Sequence, residues 1–273
     1  MAAAAVFSPD TLVAGHTPPF GVTPCLLSGG LLAGGAFAIM AGMIWITGDK
    51  HGDFTEVEDF CRAWQTRRQD VLIVLGDAGI NYFQDSRAVA LKQHLAQLPI
   101  TLFCVHGNHE ARPETVAGYE LQAGYGGQVY VDPRFPNQVF PVDGEVYQLG
   151  RRKSLVVGGA YSVDKFYRLL NHWAWFEDEQ PSSVIKARAE QALSRVHWQV
   201  DAVLSHTCPL SVVPHAKLPP LGPGTEVDLS TERWLESLRA RLNFHQWFAG
   251  HFHIDHVCES MTFLFHQFLV FDV

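Results

Sequence analysis

Val71-Leu72-Ile73-Val74-Leu75 is apolar at every position and stops abruptly at Gly76-Asp77. A strand without polar alternation is buried on both faces, so it belongs inside a sheet covered by other layers. The same sequence grammar recurs: Ile44–Thr47 runs into Gly48-Asp49, Ile100–Val105 into Gly107-Asn108-His109-Glu110, Asp201–Ser205 into His206, and Phe244–Ala249 into Gly250-His251-Phe252-His253. Ser154–Gly158 reads as a further strand. Helical periodicity fills the gaps. Phe54–Gln69 carries Val57, Phe60, Cys61 and Trp64 on one stripe. Ser86–Leu98 carries Ala88, Leu91, Leu95 and Leu98 and is closed by Pro99. Pro181–Val196 and Leu229–Leu242 are helical as well. Strands alternating with helices predict an α/β fold with a largely parallel sheet. Residues 111–150 predict short strands and turns, and Val257–Val273 terminal antiparallel strands. The Pro-rich stretch Thr207–Leu229 is long enough to be a lid.

The chain has 273 residues, of which 47% are hydrophobic and 18% charged, which excludes bulk disorder. Its net charge of −8 disfavours a broad nucleic-acid footprint or an anionic-membrane binder. The five cysteines form no CxxC, so neither a disulfide framework nor a Cys-rich zinc knuckle is expected. Residues 1–48 hold a single charged side chain, Asp10. Residues 1–42 read as a non-essential extension preceding one domain at 43–273. A membrane anchor within residues 25–47, or translation upstream of a start at Met40 or Met43, stays open. No basic region of a signal peptide precedes the apolar run, and the expected location is cytoplasmic. The oligomeric state is not readable.

In open α/β sheets, sites form beyond the carboxyl ends of strands. The polar clusters here offer carboxylate, imidazole and amide oxygen, the donors that borderline divalent metals accept. Alternation places Asp49 with His51, and His251 with His253, on one side of an extended segment. Glycine before a ligand lets the backbone come close to an ion.

Together, Asp49-x-His51, Gly76-Asp77, Gly107-Asn108-His109-Glu110, His206 and Gly250-His251-x-His253 resemble the signature of the calcineurin-like metallophosphoesterase family from Met43 to about Asp255, and the segment Gly158–Arg168 resembles one in its bacterial and phage members. The resemblance implies a two-sheet β-sandwich flanked by helices in four layers. It implies two divalent metals, one on Asp49, His51, Asp77 and His253, the other on Asp77, Asn108, His206 and His251. Asp77 bridges them. Manganese, iron and zinc all suit this N/O set, with manganese favoured for activity. His109 is the implied acid for the leaving alkoxide, oriented by Asp77 or Glu110. The Asp-Arg-Gly of Ser/Thr protein phosphatases is missing; Gly76-Asp77 continues as Ala78-Gly79-Ile80.

Two divalent ions with Asp49 and Asp77 leave a net charge of about +2, suited to a phosphate ester and its more charged transition state. The expected reaction is hydrolysis of a phosphomonoester or phosphodiester by a metal-bridging hydroxide, without a covalent intermediate. The expected substrate is a small phosphate ester or a nucleotide. Asn108, Lys165, Arg168 and Arg112 are candidate phosphate contacts. His172, Trp173, Trp175 and Phe176 read as core packing, with a wall for a base or aryl group as the alternative. Lys50, between two expected ligands, must point away. Cys208 reads as a small buried side chain. A nuclease or cyclic-nucleotide phosphodiesterase on the same metals, and a scaffold of the same fold without catalysis, remain alternatives.

Overall fold

The computed structural model describes residues 42–218 and 226–271. The expectations for residues 1–42, Gly42 apart, and most of the 25–47 run, lie outside the described residues, as does the middle of the Pro-rich connection. Among the described residues no helix is long and apolar enough to cross a membrane.

The apolar runs become short strands: β1 (Ile44–Thr47), β2 (Val71–Val74), β3 (Thr101–Cys104), β8 (Arg152–Val157), β9 (Ala202–Ser205) and β10 (Gln246–Ala249). They do not form one sheet. β1, β2, β3 and β6 (Gln138–Pro141) run parallel at the centre of a seven-stranded sheet. Its edges are β13 (Leu269–Val270) beside β1, and β5 (Gly127–Val131) with β4 (Glu120–Gly124) beyond β6. β8, β9, β10 and β12 (Met261–Phe263) run parallel in a six-stranded sheet. β7 (Val146–Leu149) and β11 (His256–Cys258) pair antiparallel at its edges.

Side-chain alternation explains the layers. Ile44, Ile46, Ile73, Leu75 and Phe103 meet Val156, Leu204 and Phe248 in a core between the sheets. Trp45, Leu72, Val74 and Leu102 face the other way, onto α1 (Thr55–Trp64) and α2 (Ser86–Leu95) through Val57, Phe60 and Leu95. Leu155, Val157, Val203 and Trp247 pack onto α4 (Ser183–Arg195) and α5 (Ser230–Arg239) through Ala189, Leu193, Leu235 and Leu238. The result is a four-layer α/β sandwich, helices outside and two mixed sheets inside.

Two helices are shorter than their periodicity predicts. α1 stops where Gln65 turns left-handed, and the Asp70 carboxylate then accepts from the backbone N–H groups of Arg67 and Met43. Past Leu95, α2 tightens into i→i+3 bonds such as Leu98 N–H to Leu95 C=O. A fifth helix, α3 (Lys165–Leu170), has no apolar stripe to announce it. Arg168 is its only buried residue, while Phe166 and Leu170 are 69% and 78% exposed.

Candidate metal centre

The loops beyond the carboxyl ends of the parallel strands of both sheets meet at one end of the sandwich. Asp49 and His51 follow β1, Asp77 follows β2, and Asn108 and His109 follow β3. His206 follows β9, and His251 and His253 follow β10. His51, Asp77, His251 and His253 all adopt left-handed backbone, with φ of 47°, 46°, 66° and 50°. That conformation is uncommon for side-chain-bearing residues and clusters at functional sites. It corrects the expectation of extended alternating segments: sharp turns aim these side chains inward.

Gly76 turns the backbone sharply before Asp77, and the glycines clear space as well. A Cβ on Gly107 would overlap Asp77 Oδ1, and a Cβ on Gly76, whose φ is +97°, would overlap the His206 ring. They make room for neighbouring candidate ligands to pack against the backbone.

Each carboxylate is held by one oxygen and free at the other. Asp49 Oδ1 accepts from His251 N–H at 2.9 Å, and Asp77 Oδ1 from His109 N–H at 2.8 Å. Asp49 Oδ2 is buried without a hydrogen bond, 3.3 Å from His253 Nε2. Asp77 Oδ2 stands among His51 Nδ1 at 3.9 Å, His109 Nδ1 at 3.6 Å and His206 Nε2 at 3.6 Å. His206 Nδ1–H donates to the Leu75 carbonyl at 2.8 Å, which leaves Nε2 bare. That nitrogen lies 2.8 Å from Asn108 Oδ1, and His251 Nδ1 approaches the same oxygen at 3.1 Å. Asn108 Nδ2 donates to Ser162 Oγ at 2.8 Å, so the amide oxygen faces the histidines. His51 Nε2 and His253 Nε2 are 2.9 Å apart.

Electron-pair donors thus converge on shared points, which is the arrangement a cation satisfies. Among the described residues, three groups could each hold an ion: Asp49 with His51 and His253, Asp49 with Asp77 and His206, and His51 with Asp77 and His109. The donor set fits two divalent cations. Burial tends to raise the Asp49 and Asp77 carboxyls, but the surrounding histidines outweigh it and hold both below the usual range. Burial lowers His51, and burial with His206 nearby lowers His251 to about 3, so their rings are neutral and able to ligate near pH 7.

The expected phosphate contacts fare differently. Arg168 is only 9% exposed and lies beside the centre, its Nη2 donating to His109 Nδ1 at 3.0 Å and its Nε to Asp164 Oδ2 at 2.8 Å. Arg112 is buried, its Nη1 paired with Asp143 and its Nε donating to the Asp178 carbonyl at 2.9 Å, while its Nη2 has no hydrogen-bond partner. Lys165 Nζ sits 3.9 Å above the Trp175 ring. Glu110 does not take the part expected of it beside His109. Its Oε1 accepts from Gly107 N–H at 3.0 Å, and burial beside Asp77 raises its carboxyl to about 8. The acid that reaches His109 from outside the ligand set is Asp164, whose Oδ1 is 3.4 Å from Nε2. No sequence signal pairs the two, which are far apart along the chain. Trp173 is not core, being 52% exposed, and Trp175 and Phe176 are half-buried. Lys50 turns away as expected, its Nζ donating to the Phe265 carbonyl at 2.9 Å, and Cys208 is buried.

A family model described as calcineurin-like phosphoesterase matches residues 42–255. No curated protein matches the chain. Among solved structures, the crystal structure of phosphopantetheinyl hydrolase (PptH) from Mycobacterium tuberculosis is 16% identical, covering 82% of this chain and 88% of that one, with a TM-score of 0.38. With the match running from the entry to β1 past the His251–His253 pair, this chain belongs to the calcineurin-like phosphoesterase family, whose members are generally dinuclear metal-dependent hydrolases.

Proposed function

We propose that residues 43–273 form one metal-dependent phosphoesterase domain that hydrolyses a small phosphate ester or a nucleotide in the cytoplasm. The observation that carries this reading is the meeting of His206 Nε2, His251 Nδ1 and Asn108 Oδ1 beside the free Asp77 Oδ2. Asp49, His51, Asp77 and His253 would hold one divalent ion, and Asp77, Asn108, His206 and His251 the second. Bound there, two such ions supply Lewis acidity toward phosphoryl oxygens and water activated near neutral pH.

The chain's own groups do the rest. Asp77 shares its free oxygen between the two halves of the site. Ser162 keeps the Asn108 amide from rotating. Arg168, at the His109 side, offers a guanidinium to a phosphoryl oxygen in place of His109 Nδ1. His109 gives a proton to the leaving oxygen, because its Nδ1 faces Asp77 and the centre.

The test is metal analysis of purified protein, with an ester panel in added Mn²⁺: aryl monoesters, aryl diesters, 2′,3′-cyclic nucleotides and oligonucleotides. The expected result is about two divalent ions per chain and turnover of at least one small ester. Folded protein that takes up no metal supports the scaffold alternative. Preference for oligonucleotides supports the nuclease.

A further inference from the structure

Asp164 directly precedes α3, at the position where an aspartate ordinarily caps a helix by accepting from its first N–H groups. It makes no such bond. Its carboxylate turns inward instead, with Oδ2 accepting from Arg168 Nε at 2.8 Å and Oδ1 facing His109 Nε2 at 3.4 Å. Those two facing atoms are both buried and neither has a hydrogen-bond partner. Each is therefore the natural partner of the other.

The proton on His109 can be placed from the donor inventory. A guanidinium only donates, so Arg168 Nη2, 3.0 Å from Nδ1, requires Nδ1 to accept. The ring proton of neutral His109 then sits on Nε2, toward Asp164. Nδ1 is the nitrogen that faces Asp77 and the candidate metal centre. Arg168 is also the only side chain of α3 that is buried. The helix is thus tied to the body through charged groups at the site, with Phe166 and Leu170 left in solvent.

We propose that Asp164 is the positioning residue for His109: it accepts from Nε2 and aims Nδ1 at the leaving oxygen, while Arg168 braces the carboxylate. The assignment of proton delivery to His109 rests on the phosphoesterase reading; the contact does not. In the step, His109 enters as the imidazolium, its Nδ1 proton in place of the contact with Arg168 Nη2, which turns to a phosphoryl oxygen; the electron pair of the breaking P–O bond stays on the leaving oxygen, which takes the Nδ1 proton. His109 ends neutral with its Nε2 proton still donated to Asp164, and regains a proton from solvent.

The experiment compares Asp164→Ala with the wild type in Mn²⁺ on p-nitrophenyl phosphate and on phenyl and alkyl phosphates, and repeats it in a His109→Ala background. The expected loss is about 100-fold on the poor leaving groups and at least tenfold smaller on p-nitrophenyl phosphate. In the His109→Ala background, Asp164→Ala should cost no more than about twofold on any ester, because the residue acts through His109. A separate readout is the ¹⁵N–¹H spectrum of the metal-free protein, where the His109 Nε2 proton should be visible in the wild type and lost to exchange in Asp164→Ala. Asp164→Leu fills a similar volume without an acceptor, and the same comparisons apply to it if the alanine variant does not fold. Equal losses on all esters, equal losses in both backgrounds, or an unchanged Nε2 proton each overturn the proposal. A wild type that hydrolyses none of these monoesters, and none of the diesters or 2′,3′-cyclic nucleotides of the wider panel, overturns the phosphoesterase reading instead, and the Nε2 proton still decides the contact.

Discussion

Asn108 Oδ1 and His206 Nε2 stand 2.8 Å apart inside the protein, and both are acceptors, because the His206 Nδ1 proton is already given to the Leu75 carbonyl. Two facing lone pairs are unfavourable until a cation or a proton comes between them. Removing one of them should therefore show first in metal content. His206→Ala should hold about one divalent ion per chain where the wild type holds about two, measured by elemental analysis after gel filtration. Unchanged content would take His206 out of the ligand set.

Asp77 has a single free oxygen within 4 Å of three histidine rings. Asp77→Asn leaves a weaker, neutral donor there. Turnover should fall about 10³-fold, the upper range for one transition-state contact. Raising Mn²⁺ tenfold should not restore it, because the defect is in shared geometry as well as affinity.

Gly107→Ala would drive a methyl into Asp77 Oδ1 and the Asp77 backbone nitrogen. Backbone cannot move aside as a flexible side chain can. The expected cost is about 1–3 kcal/mol, read by denaturant unfolding, together with reduced metal uptake.

Asp143→Ala leaves the Arg112 guanidinium buried without its carboxylate. Loss of one partner of a buried pair costs about 3–5 kcal/mol. Unfolding should register that loss. The KM for an activated ester, measured well below the melting temperature, should stay within about twofold, since Arg112 is buried and paired; a larger rise would return it to the phosphate contacts.

Glu110 gives a pH signature in metal-free protein. Its carboxyl titrates at about 8 when folded, raised by burial and by Asp77, against 4.5 when exposed. Between those values the unfolded chain binds fewer protons than the folded one, so stability falls as pH rises and levels off above about 8. The full effect is roughly 3–5 kcal/mol. Glu110→Gln should show a flatter melting-temperature profile from pH 5 to 8, followed in chelator by calorimetry. A profile parallel to the wild type's would mean that Glu110 ionises normally.

The parts legible in the sequence were those with local periodicity. β2 is readable because both of its faces are buried, and the ends of the apolar runs point to the loops that meet at the site. The pairing into two sheets is not readable from those runs, since Ile73 and Leu204 look alike whether they share a sheet or face each other across a core. α3 escapes because its pattern is inverted, with Arg168 inside and Phe166 outside. Asp164 escapes for another reason: its partner His109 lies in a different loop, and no spacing rule joins them. The burial of Arg112 escapes too, because its carboxylate partner Asp143 comes from a stretch of turns.

The candidate ligands are divided between the two sheets of the sandwich. Asp49, His51, Asp77 and Asn108 extend from strands of one, and His206, His251 and His253 from strands of the other. An ion held by members of both groups is therefore also a rivet across the seam, clamping one end of a core that apolar packing alone must close elsewhere. Loading and stripping such a rivet would change how tightly the layers are fastened, so metal content and the mechanical integrity of this end of the molecule would rise and fall together.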